Sequence, residues 1–108
     1  MNLKKTNNEL ACIFCDKSKL AIVKEYKNSI IIRDLFPKKK NHFLLITKKH
    51  LDTNSELLKI SILYIRILKE LKEFILQYCL NKDYNIIINK GKSAGQEINH
   101  FHIHILYD

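Results

Sequence analysis

Three histidines alternate with apolar residues near the end of the chain, in His100-Phe101-His102-Ile103-His104-Ile105. On a β-strand, a period of two puts all three imidazoles on one face and Phe101, Ile103 and Ile105 on the other. An ordinary half-buried strand carries Thr, Lys or Glu on its polar face. Three imidazoles in register make a site for metal, phosphate or proton chemistry instead. Both glycines of the chain, Gly91 and Gly95, lie just before this run, between Asn89 and Gln96. Glycine lets the backbone turn back closely and leaves its amides open to an anionic oxygen. Asn89 and Gln96 add side-chain amide donors.

A second cluster of reactive types is Cys12-x-x-Cys15. Its spacing suits half of a tetrahedral zinc site. A thioredoxin-type redox pair fits less well, because the flanks lack a βαβ pattern, and two unrelated buried thiols are the plain alternative. Zinc would need two further ligands, and the chain offers 5 histidines: His42, His50, His100, His102 and His104. If His50 closes on the cysteines, one histidine of the triad completes a Cys2His2 set. Two readings stay open for Asp34, which follows an apolar run and opens a loop. Its carboxylate could accept the hydroxyls of a ribose, or it could simply form the turn. Cys79 reads as a small buried residue.

These groups need elements to hold them. Leu20–Glu25 reads as a strand, Tyr26-Lys27-Asn28 as a turn, and Ser29–Arg33 as the second arm of a hairpin. Asp34 to Asn41, with the chain's single proline at Pro37, is a loop, and His42–Thr47 is a third strand. Thr53, Asn54 or Ser55 caps a helix running to about Leu80. Leu57, Ile60, Tyr64, Leu68, Leu71, Ile75 and Tyr78 have the spacing of one buried helical face. Ile62, Ile65, Ile67 and Phe74 widen that stripe enough for two partners, the sheet and a second subunit. Tyr84–Asn89 is a fourth strand, whose isoleucine run predicts burial on both faces. The histidine strand is the fifth. A turn and a short helix are expected over Asn7 to Lys17. The order β-β-β-α-β-β predicts an antiparallel α+β fold, a five-stranded sheet with one long helix and a short N-terminal helix.

The chain has 108 residues, 46% of them apolar, which suits a single domain over residues 1–108 with one modest core. The start, Met1-Asn2-Leu3-Lys4-Lys5-Thr6, leads to no apolar segment of a signal peptide, and no apolar run is long enough to span a bilayer. Together with an odd cysteine count of 3, this gives the expectation of a cytoplasmic protein that binds no membrane. The formal charge of +8 invites a nucleic-acid reading. Against it, the positive residues are nearly all lysines scattered along the chain, with Arg33 and Arg66 the only arginines. Lys38-Lys39-Lys40 is the one tight run, a solvated loop that is still compatible with an anionic ligand.

Taken together, these segments resemble the histidine-triad (HIT) superfamily, with its His-φ-His-φ-His-φ-φ motif. Cys12-Ile13-Phe14-Cys15 resembles the start of many members. Arg33–Pro37 resembles the family's Asp-φ-x-Pro segment, and Asn41–His50 its His-φ-φ-φ-φ-Pro-Lys-x-His segment, with Thr47 in place of the proline. Gly95–His104 resembles the signature. The resemblance covers nearly the whole chain and points to the zinc-containing, Hint-like branch. It implies the five-stranded HIT-like sheet and a homodimer. It also implies hydrolysis or transfer at the α-phosphate of nucleoside phosphoramidates or related AMP derivatives. Dinucleoside polyphosphate hydrolysis is the alternative, and a non-catalytic purine-nucleotide-binding or interaction module is another. By similarity His102 is the nucleophile and Asp34 binds ribose. Asn89, Gln96 and His104 hold phosphate oxygens beside Gly95, His42 supports the site from behind, and His100 completes the triad. Structural zinc would be held by Cys12, Cys15, His50 and His100. Glu97 stands where some branches carry a hydroxyl residue that helps the leaving group.

Overall fold

The computed structural model describes residues 12–51, 57 and 59–108. Five strands form one antiparallel sheet: β1 (Ile22–Glu25), β2 (Ser29–Arg33), β3 (Asn41–Thr47), β4 (Tyr84–Ile87) and β5 (His102–Tyr107), in the spatial order β1-β2-β3-β5-β4. The central position of β3 and β5 follows from composition, because both are apolar enough to be covered on two faces. Helix α1 (Ser61–Tyr78) crosses between β3 and β4 and covers one face.

The period-two alternation of the strands sorts the core into two layers. Ile31, Phe43, Leu45, Ile103, Ile105 and Tyr107 face the helix and meet Ile67, Leu71 and Phe74. Ile30, Ile32, Leu44 and Ile46 face the other way and pack with Phe14. His42, His102 and His104 belong to that second face by parity. The register sets Leu44 opposite His104, Ile46 opposite His102 and His42 opposite Leu106. His42 and His104 are therefore diagonal neighbours on adjacent strands, within reach of two ring side chains.

Several elements differ from the sequence expectation. The expected N-terminal helix is two 3-10 turns, Ile13–Cys15 and Lys17–Lys19, and residues 1–11 lie outside the described set. The helix-capping candidates Thr53, Asn54 and Ser55 also lie outside it. Leu57 is helical and buried, and α1 itself starts only after a bend at Ile60. The inward face of α1 is Ile67, Glu70, Leu71 and Phe74. Ile60, Leu68 and Tyr78 of the predicted face are exposed instead. The helix is apolar on two stripes, and the pattern alone does not say which one turns inward. The histidine strand begins at His102 rather than His100. His100 and Phe101 precede it, with the Phe101 amide donating to Leu51 O at 2.9 Å.

β4 is an edge strand ending at Ile87, and Tyr84, Ile87 and Ile88 are exposed. Its isoleucines mark β-propensity rather than burial on both faces.

One buried charge holds the helix to the sheet. Glu70, 7% exposed, accepts from Ser29 Oγ at 2.6 Å, from Asn28 Nδ2 at 2.8 Å and from the Asn28 amide at 3.1 Å. Three donors on one carboxylate offset the cost of burying it. They also fix the β1–β2 turn beneath the helix.

Candidate active site and metal centre

The hydrogen bonds of four histidines run in consistent directions, and main-chain groups fix most of them. His102 Nδ1 lies 2.7 Å from His100 O. A carbonyl can only accept, so Nδ1 carries the proton and the lone pair of neutral His102 is on Nε2. His102 is 7% exposed, and burial pushes its pKa below the ordinary 6.5. The ring is neutral near pH 7.

His42 shows the opposite polarity. The Lys38 amide donates to His42 Nδ1 at 3.2 Å, so the proton of neutral His42 is on Nε2. That nitrogen is 2.9 Å from His104 Nδ1, with Asp34 Oδ2 as a more distant acceptor at 3.5 Å. His104 Nδ1 therefore accepts, and the proton of neutral His104 is on Nε2. Burial first, and then the neighbouring His102 and His42, depress His104 to about 4. Burial also lowers His42. Together these rings offer one lone pair, on His102, and one N–H donor, on His104, to the same pocket.

That pocket, about 280 Å³, is lined by His102, His104, Asp34, Lys38, Asn89, Gly95 and Glu97. Phe14, Leu44, Ile98 and Phe36 form an apolar side to it. The Phe14 ring stands edge-on to His102 with centroids 5.3 Å apart. Asp34 forms the turn, its Oδ1 accepting from the Phe36 amide at 2.8 Å, and it also lines the pocket.

Gly91 and Gly95 sit at φ of 87° and 95°, conformations that L side chains rarely adopt. A Cβ on Gly95 would meet Asn89 only at ordinary contact distance, 3.8 Å, so conformation rather than space calls for glycine there. Gln96 is placed differently from the other loop residues. Its Oε1 accepts from the Gly91 amide at 2.8 Å and its Nε2 donates to Ile98 O at 3.1 Å. It braces the loop, and the residues around the pocket do not include it. Phe14, Lys38, Phe36 and Ile98 are pocket residues that spacing alone did not single out. The position of Phe14 inside the cysteine pair and that of Lys38 in the lysine run were the hints to their places.

Behind His102 lies the second cluster. Cys12, Cys15, His50 and His100 bring their donor atoms within 4.8 Å of one another. Cys15 Sγ is 3.1 Å from His50 Nδ1, and His100 Nδ1 is 3.4 Å from Cys12 Sγ and 3.6 Å from Cys15 Sγ. Tetrahedral zinc, with Zn–S of about 2.3 Å and Zn–N of about 2.0–2.1 Å, sets sulfur and nitrogen roughly 3.5 Å apart. His100 is also turned correctly for a ligand. Its Nε2–H donates to Thr47 O at 2.7 Å, so its Nδ1 lone pair faces the sulfurs. An imidazole ligand anchored through its other nitrogen is the usual outer-shell arrangement. The cluster fits a metal ion with four protein ligands.

Asp34, His42 and His104 also bring donor atoms within 4.8 Å. There, however, His42 Nε2 is already donating to His104, so the two rings bond to each other rather than to a cation.

Comparison with known proteins agrees with this geometry. The HIT domain family model matches residues 16–107. An uncharacterized HIT-like protein of Methanocaldococcus jannaschii is 32% identical over 100 residues, covering 88% of this chain and 77% of that one. Among solved structures, a HIT family hydrolase from Clostridium thermocellum is 30% identical, with a TM-score of 0.77 and coverage of 91% and 90% of the two chains. A Zn-bound histidine triad family protein from Mycobacterium smegmatis is 25% identical, with a TM-score of 0.72 and coverage of 92% and 76%. Among the described residues, no helix is long and apolar enough to cross a membrane. By its family-model match, its relatives and its five-stranded sheet, this chain belongs to the histidine-triad (HIT) family.

Proposed function

We propose that the protein is a HIT-type hydrolase acting at the α-phosphate of nucleoside phosphoramidates or related AMP derivatives, through a nucleotidyl-His102 intermediate. The observation that carries this reading is the 2.7 Å bond from His102 Nδ1 to His100 O. It leaves a neutral imidazole with its Nε2 lone pair in a pocket shared with His104, Asn89 and Gly95. His102 Nε2 attacks phosphorus, and the P–N bond of the substrate breaks with its electron pair going to the amine, which takes a proton from water. Water then cleaves the His102–phosphorus bond, releasing AMP and restoring the ring. His104 Nε2–H and the loop donors hold the phosphoryl oxygens as charge builds on them. Asp34 Oδ2 accepts a ribose hydroxyl, and the base lies against Phe14, Leu44 and Ile98.

In this reading Cys12, Cys15, His50 and His100 hold zinc. With four protein ligands and no open position it would be structural, tying the cysteine turn to the residues that precede β5. The likeness to a Zn-bound relative supports this. The active form is a homodimer. The outward stripe Ile62, Ile65, Leu68 and Leu76 of α1 supports the second subunit, because large uncovered apolar patches are rare on monomers.

A substrate panel tests the assignment. Purified protein is expected to release AMP from an adenosine phosphoramidate. Cleavage of diadenosine polyphosphates with the phosphoramidate left intact would instead favour the polyphosphate hydrolase. Nucleotide binding without turnover of either would favour a binding module.

A further inference from the structure

The loop between β2 and β3 makes two contacts here: Lys38 is among the residues that line the pocket, and the Lys38 main-chain amide meets His42. The second contact has a direction. An amide N–H can only donate, so His42 Nδ1 must accept. This sends the His42 proton to Nε2, and from there toward His104 Nδ1 at 2.9 Å. A neutral imidazole carries one proton, so filling Nδ1 of His104 with an incoming hydrogen bond assigns that ring's own proton to Nε2.

We propose that the Lys38 main-chain amide, acting through His42, holds His104 in its Nε2–H form and so makes it a hydrogen-bond donor to the substrate's phosphoryl group. Lys38 and His42 are thus positioning residues. The proposal rests on the hydrolase reading for its substrate, but the ring polarity itself is a property of the free protein.

The surroundings favour this polarity and no other. His42 is 3% exposed, so water does not substitute for its partners. Asp34 Oδ2, 3.5 Å from His42 Nε2, is a second acceptor on the same side and also favours a proton on Nε2. If the direction were reversed, a proton on His42 Nδ1 would face the Lys38 N–H, donor against donor, in a buried position. His104 Nδ1–H would then point at His42, and its Nε2 would present a lone pair to an anion. A reversed chain would thus repel the phosphate that the pocket is built to hold. The two imidazoles nearest phosphorus have opposite duties, one attacking and one donating. The main chain assigns both, through His100 O for His102 and the Lys38 N–H for His104.

Long-range proton–nitrogen correlation spectra of the ¹⁵N-labelled, metal-loaded protein near pH 7, without nucleotide, read the tautomers directly. Both His42 and His104 are expected as Nε2–H rings with unprotonated Nδ1; an Nδ1–H tautomer at His104 would overturn the proposal. Lys38→Ala keeps the amide and removes the ammonium, while Lys38→Pro removes both. Lys38→Ala is expected to leave the His104 tautomer unchanged and to raise KM. Lys38→Pro is expected to give a mixture of His104 tautomers and a kcat lower than that of Lys38→Ala by about tenfold, the order of one lost hydrogen bond. If Lys38→Pro does not fold, His42→Leu breaks the next link and is expected to give the same mixture. A single, unchanged His104 tautomer in a folded Lys38→Pro or His42→Leu protein would overturn the relay. Correct tautomers in a protein that releases no AMP would count against the hydrolase reading and leave the relay standing.

Discussion

His102 donates its Nδ1 proton to the carbonyl oxygen of His100 at 2.7 Å, and His100 turns its own ring away, toward Cys12 and Cys15. One residue thus serves both clusters, its main chain orienting the catalytic candidate and its side chain completing the candidate metal-ligand set. Phe14 makes a second connection. It lies inside the cysteine turn, is buried, and packs edge-on against both His100 and His102.

This sharing gives the first prediction. Protein purified without added metal is expected to contain one zinc ion per chain by elemental analysis, and Cys12→Ser/Cys15→Ser is expected to contain none. Metal removal is expected to lower the melting temperature by several degrees, because the ligands come from separate parts of the chain and metal binding then contributes to folding. It is also expected to weaken nucleotide binding, since Phe14 loses its anchor. Full metal content in the double variant would refute the ligand set.

Much of the site was legible from residue order. The period of two that set His102 and His104 on one face is a local property, and the strand preserves it. The two glycines before β5 likewise announced a turn that needs positive φ. The meeting of His42 with His104 was not legible, because it depends on the β3–β5 register that pairs His42 with Leu106 and Leu44 with His104. Glu70 was illegible for a similar reason: its partners Asn28 and Ser29 are far away in sequence, and an isolated helical Glu reads as a solvated residue. The inward face of α1 was legible in part: Leu57, Tyr64, Leu71 and Ile75 meet the core as expected, while Ile60, Leu68 and Tyr78 are exposed. With isoleucine and leucine on both stripes, a hydrophobic pattern specifies that a helix forms but not its rotation.

The buried imidazoles predict the pH behaviour. In the proposed mechanism His102 attacks as the neutral base, and burial holds its pKa below 6.5. The acid limb of kcat/KM against pH is therefore expected below 6.5, and a limb at or above 6.5 would contradict a buried nucleophile. Stability has its own window. His104 titrates at about 4 in the folded protein and near 6.5 when unfolded. Above pH 6.5 neither state binds the proton at this ring. As pH falls from 6.5 toward 4 the unfolded state binds it first, so folding stability drops across that interval. Thermal melts between pH 7 and pH 4 are expected to show the decline, and His104→Gln is expected to make it shallower.

The exposed stripe of α1 predicts association. Light scattering at micromolar concentration is expected to give twice the mass of one chain. Ile62→Lys/Ile65→Lys, which puts two charges on that stripe, is expected to shift the mass toward one chain while leaving the fold intact by circular dichroism. Wild-type protein with the mass of a single chain would show that the stripe stays uncovered, and the dimer would be wrong.

The role of His102 is decided by measuring AMP release from an adenosine phosphoramidate by the wild-type protein and by His102→Ala, alongside calorimetric AMP binding by both. In the proposed mechanism covalent catalysis depends on one nitrogen, whereas binding is spread over Asp34, Asn89, His104 and the apolar wall. His102→Ala is therefore expected to lose turnover by about a thousandfold or more while AMP affinity stays within about tenfold of wild type. Release of AMP by His102→Ala at the wild-type rate would contradict the nucleotidyl-histidine mechanism.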